Sequence, residues 1–261
     1  MKNYFLPIGL SLIFLLSSCM TTGFKDFYQP WDEEGLLPTE AYLQMTEESS
    51  VIKCSDLNSK FREIASNWYW CIGYSGFNGP DLSDHETRQE LINLCKEIKA
   101  KVAIYSKRYT DTKSGVYSTP HNNYHHYTDI NGFFRSYITT SYTTNSYSLD
   151  RYDFSSYFFV PIPEDYKIMY APGFSVVDLS QADKDFYKQN TGCLIYIVYN
   201  SSPAYFSNLV YGDIITRINN KDIYSANDIL ELQKISKNGD IWNITILRNG
   251  MEKDITVKYG I

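Results

Sequence analysis

The chain has 261 residues, 24 Lys and Arg against 30 Asp and Glu, a formal net charge of −6 and 43% hydrophobic residues. This balance excludes a disordered polar chain and argues against a broad phosphate-binding surface, so no nucleic-acid partner is expected. The length favours two compact units over one core, and 24 Tyr with 14 Phe and 4 Trp point to strands.

Lys2 opens a short positive region, and residues 4–16 form an apolar run of secretory length rather than a bilayer span. The run ends in Leu16-Ser17-Ser18-Cys19, which resembles the bacterial lipobox. That resemblance implies cleavage after residue 18, a diacylglyceryl group on Cys19 and export to the cell envelope, with the outer membrane favoured over the inner. Multiple acyl chains would make the tether stable. Residues 19–55 carry Pro30, Gly35, Pro38 and acidic pairs with little periodicity, and read as a linker lifting the rest off the membrane, with Trp31, Leu36, Leu37 and Tyr42 available to dock on the domain that follows. Cys54, Cys71, Cys95 and Cys193 allow three disulfide pairings, and their spacing is not of the zinc type.

A first unit is expected over 56–165. A strand from Trp68 to Ser75 is followed by a helix signature, in which Ser83 and Glu86 have capping-box spacing and Thr87, Leu91, Leu94, Cys95, Ile98 and Val102 form one stripe. A second strand over 101–109 completes strand, helix and strand, which favours a parallel pair. Residues 73–79, this helix, and the stretches 103–106 and 109–112 resemble an uncharacterised domain of bacterial surface lipoproteins, commonly placed before a PDZ module. The resemblance implies architecture and no activity.

Residues 115–150 are rich in Tyr, Thr, Ser, His and Asn and alternate with period two, as a long polar hairpin or a loop would. His121, His125 and His126 are weak metal candidates there; Pro120 and the asparagines suggest solvated loop histidines. No metal or other cofactor is expected. The strand Tyr157-Phe158-Phe159-Val160 returns to the core, and Pro161 to Pro172 marks the boundary.

In the last hundred residues short strands alternate with two helices, one starting at Ser225 with Asp228 three residues on, and Arg248-Asn249-Gly250 makes a hairpin turn. Ser202-Pro203-Ala204, Gly212-Asp213-Ile214-Ile215, Ile218-Asn219 and the closing Arg248-Asn249-Gly250 resemble the bacterial PDZ pattern over 171–259. The resemblance implies a protein or peptide ligand, a C-terminus or other segment, added as a strand beside the second helix. Gly173, Phe174, Ser175 and Val176 would form one wall and Ile229, Leu232 and Gln233 the other, while Pro172 removes one amide donor from the carboxylate loop.

The fold class expected is therefore α+β: a small α/β strand–helix–strand unit, then a PDZ-like, partly open β-barrel with two helices. The function expected is a membrane-anchored, non-catalytic adaptor or scaffold. Ser75 lacks the second glycine of a nucleophile elbow, and a strand-end serine is the better reading. The competing expectation is an envelope hydrolase or metal-dependent enzyme using the Tyr- and His-rich region, which would require His121, His125 and an acidic group to converge.

Overall fold

The computed structural model describes residues 23–31 and 49–260. Cys19, the export segment and residues 32–48 lie outside the described residues. Among those described, no helix is long and apolar enough to cross a membrane.

The first unit is a five-stranded sheet. Its strands are β1 (Tyr28–Pro30), β2 (Ser50–Lys53), β3 (Tyr69–Pro80), β4 (Val102–Thr128) and β5 (Phe134–Pro161), in spatial order β1-β3-β5-β4-β2. Side chains alternate across it with the period of two that a strand imposes. Ala103, Tyr105, Phe154 and Phe158 face α2 (Asp84–Ile98), whose Leu91, Leu94 and Cys95 are buried. Val102, Ile104 and Phe159 face Phe61 and Ile64 of α1 (Leu57–Ser66) on the other side. The capping box of α2 forms as its spacing predicts, with Ser83 Oγ accepting from Glu86 N–H at 3.2 Å and Glu86 accepting from Ser83 N–H at 2.9 Å.

Two expectations change here. β3 and β4 run parallel, but β5 lies between them and pairs antiparallel with both, so the crossover through α2 skips one strand. Parts of the expected linker also belong to the fold. β2 pairs parallel with β4, β1 pairs antiparallel with β3, and Phe24 is fully buried with edge-on rings from Phe77 and Phe154. Burying such a ring is worth about 1.5–3 kcal/mol, enough to dock a short segment.

Phe24 also brings its backbone N–H to Glu90, a half-buried carboxylate of α2 whose Oε2 has no side-chain or backbone donor. Burial raises the Glu90 pKa, and that N–H offsets it only in part. A carboxyl raised in the fold stabilises below its unfolded pKa and costs stability as pH rises through the folded value. Glu90→Gln is therefore expected to raise the melting temperature at pH 7 and to have little effect near pH 4. Thermal unfolding at the two pH values checks this, and an equal shift at both would contradict it.

The second unit begins with a 3₁₀ turn over Glu164–Tyr170. Then come β6 (Phe174–Asp178), α3 (Gln181–Tyr187), β7 (Cys193–Val198), α4 (Pro203–Phe206), β8 (Ile214–Ile218), β9 (Lys221–Asp222), α5 (Ala226–Ile235), β10 (Ile241–Arg248) and β11 (Met251–Lys258). The main sheet is ordered β11-β10-β8-β7-β6, with β9 beside β8. It is an open sheet rather than a closed barrel. α3 fills the expected charged turn, so this unit has three helices instead of two. Its core gathers Phe174, Ile195, Ile215, Ile229, Trp242 and Ile244. Asn249 and Gly250 both have positive φ, 53° and 76°, as a two-residue hairpin turn with the right twist requires.

The two units meet at Trp68. Its indole N–H donates to Asn200 C=O at 2.8 Å, and its ring stacks on Tyr199 at 4.5 Å. Asn200 N–H donates to Ser66 C=O, and the Arg62 guanidinium lies 4.1 Å from the centre of the Tyr211 ring. This joint brings the aromatic end of the first sheet over one edge of the second.

Candidate functional site

The edge in question is β6, the terminal strand of its sheet. Tyr199 N–H donates to Gly173 C=O, which turns that carbonyl and the peptide groups of Ser175 toward β7; past the bulge between Ser175 and Val176, Ile195 bonds to Asp213 and Gly212 on its other side, so its neighbour Leu194 faces Val177. Strand alternation then points the N–H and C=O of Phe174 and Val176 away from β7, into the space before α5. The Phe174 ring goes the other way, into the core, where it is 2% exposed and edge-on to Trp242.

α5 is pinned beside this edge at both ends. Asp178 at the end of β6 accepts from Ala226 N–H at 2.7 Å, and Gln233 Nε2 donates to Ala171 C=O at 2.8 Å. Two backbone N–H groups, of Tyr224 and Ser225, donate to Asp228 and hold its carboxyl below the usual range. These hydrogen bonds thus fix the position of the helix relative to the strand at both ends. Between them lies a cavity of about 410 Å³, within the range of ligand pockets. The first unit supplies its far wall through Trp31, Tyr69 and Trp70, with Met169 from the 3₁₀ turn.

The Ser-Pro-Ala segment shapes the loop that leads into β6. Ser202 Oγ donates to Gly173 C=O at 3.1 Å and accepts from Tyr205 N–H at 3.2 Å, while Ala204 N–H donates to Pro172 C=O. Gly173 has φ +103°, and a Cβ there would lie 2.1 Å from Ser202 Cβ, so this close approach admits only glycine. The same loop is short of donors. Pro172 has no N–H, and Gly173 N–H is spent on Tyr170 C=O at 2.7 Å, leaving Phe174 N–H as the loop's outward donor.

The residues named from sequence fall in different places. Gly173, Phe174, Ser175 and Val176 form the loop and edge strand, and Phe174, Ser175 and Val176 line the cavity. Ile229 and Gln233 line it from the helix, but Leu232 packs against the core. Leu230 and Ala226 complete the helical wall, which puts the cavity face at i, i+3, i+4 and i+7 from Ala226. Trp31, Tyr69 and Trp70 join the site from the first unit; Trp31 is a docking residue and Tyr69 and Trp70 are strand residues in the sequence, and no local signal assigns any of them to this groove.

Three other candidates separate from this site. Ser75 is 1% exposed and its hydroxyl donates to Phe24 C=O at 2.8 Å. The histidines stand on strand β4 rather than in a loop, all exposed: His125 bonds Thr139 and stacks on Tyr137, and His126 stacks on Phe134. Among the described residues no group of three or more His, Cys, Asp or Glu is placed to hold a metal. Cys54, Cys71, Cys95 and Cys193 are free thiols, and burial pushes Cys71, Cys95 and Cys193 up to about 12, so those three are unreactive.

Residues 173–259 match the family model of the PDZ domain. The C-terminal unit is a PDZ domain. Several solved structures are similar to the chain in part. The crystal structure of the HtrA3 PDZ domain bound to a phage-derived ligand (FGRWV) shares 15% identity over 33% of this chain and 81% of that one, with a TM-score of 0.30. The HtrA-type protease AlgW with decapeptide shares 19% identity over 40% of this chain and 36% of its own, with a TM-score of 0.32. The same protease with tripeptide shares 21% over 40% and 39%, again at 0.32. The matched part is thus little more than a third of the protease chains. No match is found among curated proteins. Within the PDZ domain, the motif Asp213 ties its own turn by accepting from Val210 N–H, and it is gripped by Arg248 of the closing hairpin.

Proposed function

We propose that the PDZ domain binds an extended protein segment, added as an antiparallel strand to β6 under α5, and that the protein is a lipid-anchored envelope adaptor without chemistry of its own. The observation that carries the binding role is that, among the described residues, no strand pairs with the outer side of β6. The backbone groups of Phe174 and Val176 face a cavity whose walls are aromatic and aliphatic, the combination that strand addition uses for affinity and side-chain selection. Trp31, Trp70, Met169 and Leu230 favour an apolar or aromatic side chain from the ligand. With Pro172 lacking an N–H and that of Gly173 engaged, carboxylate capture is weak, so internal segments compete with C-termini.

The anchor reading rests on Leu16-Ser17-Ser18-Cys19. Phe24 is docked in the first unit's core only five residues after Cys19, a span of at most ~18 Å. An acylated Cys19 therefore holds the first unit at the membrane surface instead of on a long tether. That geometry suits a protein that gathers partners close to the bilayer.

The test is a display library of random internal and C-terminal peptides selected on the full chain, followed by Val176→Pro. Proline removes the outward N–H and leaves the β7 side of the ladder intact. Selected peptides are expected to bind the variant about tenfold more weakly or worse, with an unchanged circular dichroism spectrum, because one backbone hydrogen bond is lost. Failure of both libraries to yield a binder would overturn the proposal.

A further inference from the structure

β4 and β5 run far beyond the rest of their sheet. β3 ends opposite Arg151 and β2 ends opposite Tyr105, yet the β4–β5 ladder continues from the Thr112–Asp150 pair to the Thr128–Phe134 pair. Seventeen rungs make an arm about 55 Å long. Its residues 116–128 and 134–144 are all exposed. A lone two-stranded ribbon is marginal in water and offers two rows of unpaired peptide groups.

The two edges are unequal. Cys54 N–H donates to Tyr105 C=O, so odd residues at the start of β4 point outward, and the bulge between Tyr109 and Asp111 reverses this. Beyond the bulge the even residues of β4 face solvent, and Pro120 is one of them. A missing N–H therefore interrupts the β4 edge. On β5 the outward residues are also even, from Ser136 to Asp150, and they include no proline. The stretch from Ser136 through Leu149 contains no Asp, Glu, Lys or Arg, the side chains that normally protect a long edge.

That stretch is also built to match itself. Ser-Tyr recurs every five residues, at Ser136-Tyr137, Ser141-Tyr142 and Ser146-Tyr147. In an antiparallel pairing of two copies centred on Tyr142, each Tyr142 opposes its counterpart, Tyr137 opposes Tyr147 of the second copy, and Thr140 opposes Thr144. Even residues meet even residues, so the outward N–H and C=O groups of both strands are satisfied. Tyr137, Tyr142 and Tyr147 are 52%, 69% and 50% exposed in the single chain, and all three gain an aromatic cross-strand partner. With no ionised side chain on the stretch, no like-charge pair opposes the contact.

We propose that two copies of the chain associate through the β5 edges of their arms, forming a four-stranded antiparallel sheet with its two-fold axis at Tyr142. The contact is isologous, as closed dimers require, and it does not depend on the groove beside β6. Sedimentation velocity of the full chain is expected to show a dimer. Thr140→Pro/Thr144→Pro leaves the backbone ladder to β4 in place and removes only the exposed hydroxyl contacts to Asn122 and Ser118; it is expected to raise the dissociation constant about 100-fold or more, since four interchain donors disappear. Under mild oxidation Tyr142→Cys is expected to cross-link to its counterpart, the two Cα atoms lying about 5.5 Å apart. Asn145→Cys, about 20 Å from its counterpart in this register, is expected not to exceed the wild-type background. A monomer at all concentrations, a dimer insensitive to the prolines, or equal cross-linking at 142 and 145 would overturn the proposal.

Discussion

Replacing Asp213 by Ala is expected to lower the stability of the PDZ domain by about 3–5 kcal/mol. The carboxylate is fully buried and accepts two parallel bonds from Arg248, Nε to Oδ1 and Nη2 to Oδ2, each at 2.6 Å. It also accepts from Val210 N–H at 2.9 Å, while Arg248 Nη2 donates to Asn208 C=O at 2.7 Å. One carboxylate thus fixes the turn before β8 and fastens it to the end of β10. Alanine strands a guanidinium that is only 18% exposed and orphans the Val210 amide. Asp213→Asn keeps an acceptor for Val210 and is expected to lose less. Urea unfolding followed by the fluorescence of buried Trp242 measures both, and a loss under about 1 kcal/mol for Asp213→Ala would place the pair among those that contribute little.

Gly173→Ala is expected to cost about 3 kcal/mol or more and to remove peptide binding in whatever fraction stays folded. Two penalties combine: a non-glycine residue at φ +103°, and a Cβ only 2.1 Å from that of Ser202. The loop must move to relieve the clash, carrying away the Phe174 amide and the Ala171 carbonyl that receives Gln233. Adding Ser202→Gly removes the clash but not the backbone strain, so the double variant is expected to recover only part of the stability. Recovery of all of it would show that φ at 173 is not constrained, and unchanged peptide affinity in Gly173→Ala would separate the loop from the site.

How much of this was legible depends on the range over which each feature is written. The α2 capping box and the Asn249-Gly250 turn are local, and their residue types answer to a backbone need within four positions. The PDZ pattern is legible for the same reason, since Ser202, Gly173 and Asp213 each serve a tight turn or close approach. β2 is four residues whose partner strand lies some fifty positions away, and nothing local distinguishes it from linker. The place of β5 between β3 and β4 is a long-range pairing that the strand–helix–strand order does not encode. In α5 the segment Ile229-Leu230-Glu231-Leu232 fits a groove face through either leucine; core packing of Leu232 decides the phase and turns Leu230 to the cavity. The aromatic wall from Trp31, Tyr69 and Trp70 needs the Trp68–Asn200 joint, which no single segment predicts.

The binding role requires β6 to accept a visiting backbone, and amide hydrogen exchange of the full chain with and without a selected peptide tests that most directly. Peptide is expected to slow exchange at Phe174 and Val176, whose amides face the cavity, and to leave Ser175 and Val177, already bonded to β7, nearly unchanged. Saturating peptide that leaves Phe174 and Val176 exchanging as fast as in the free protein would contradict it.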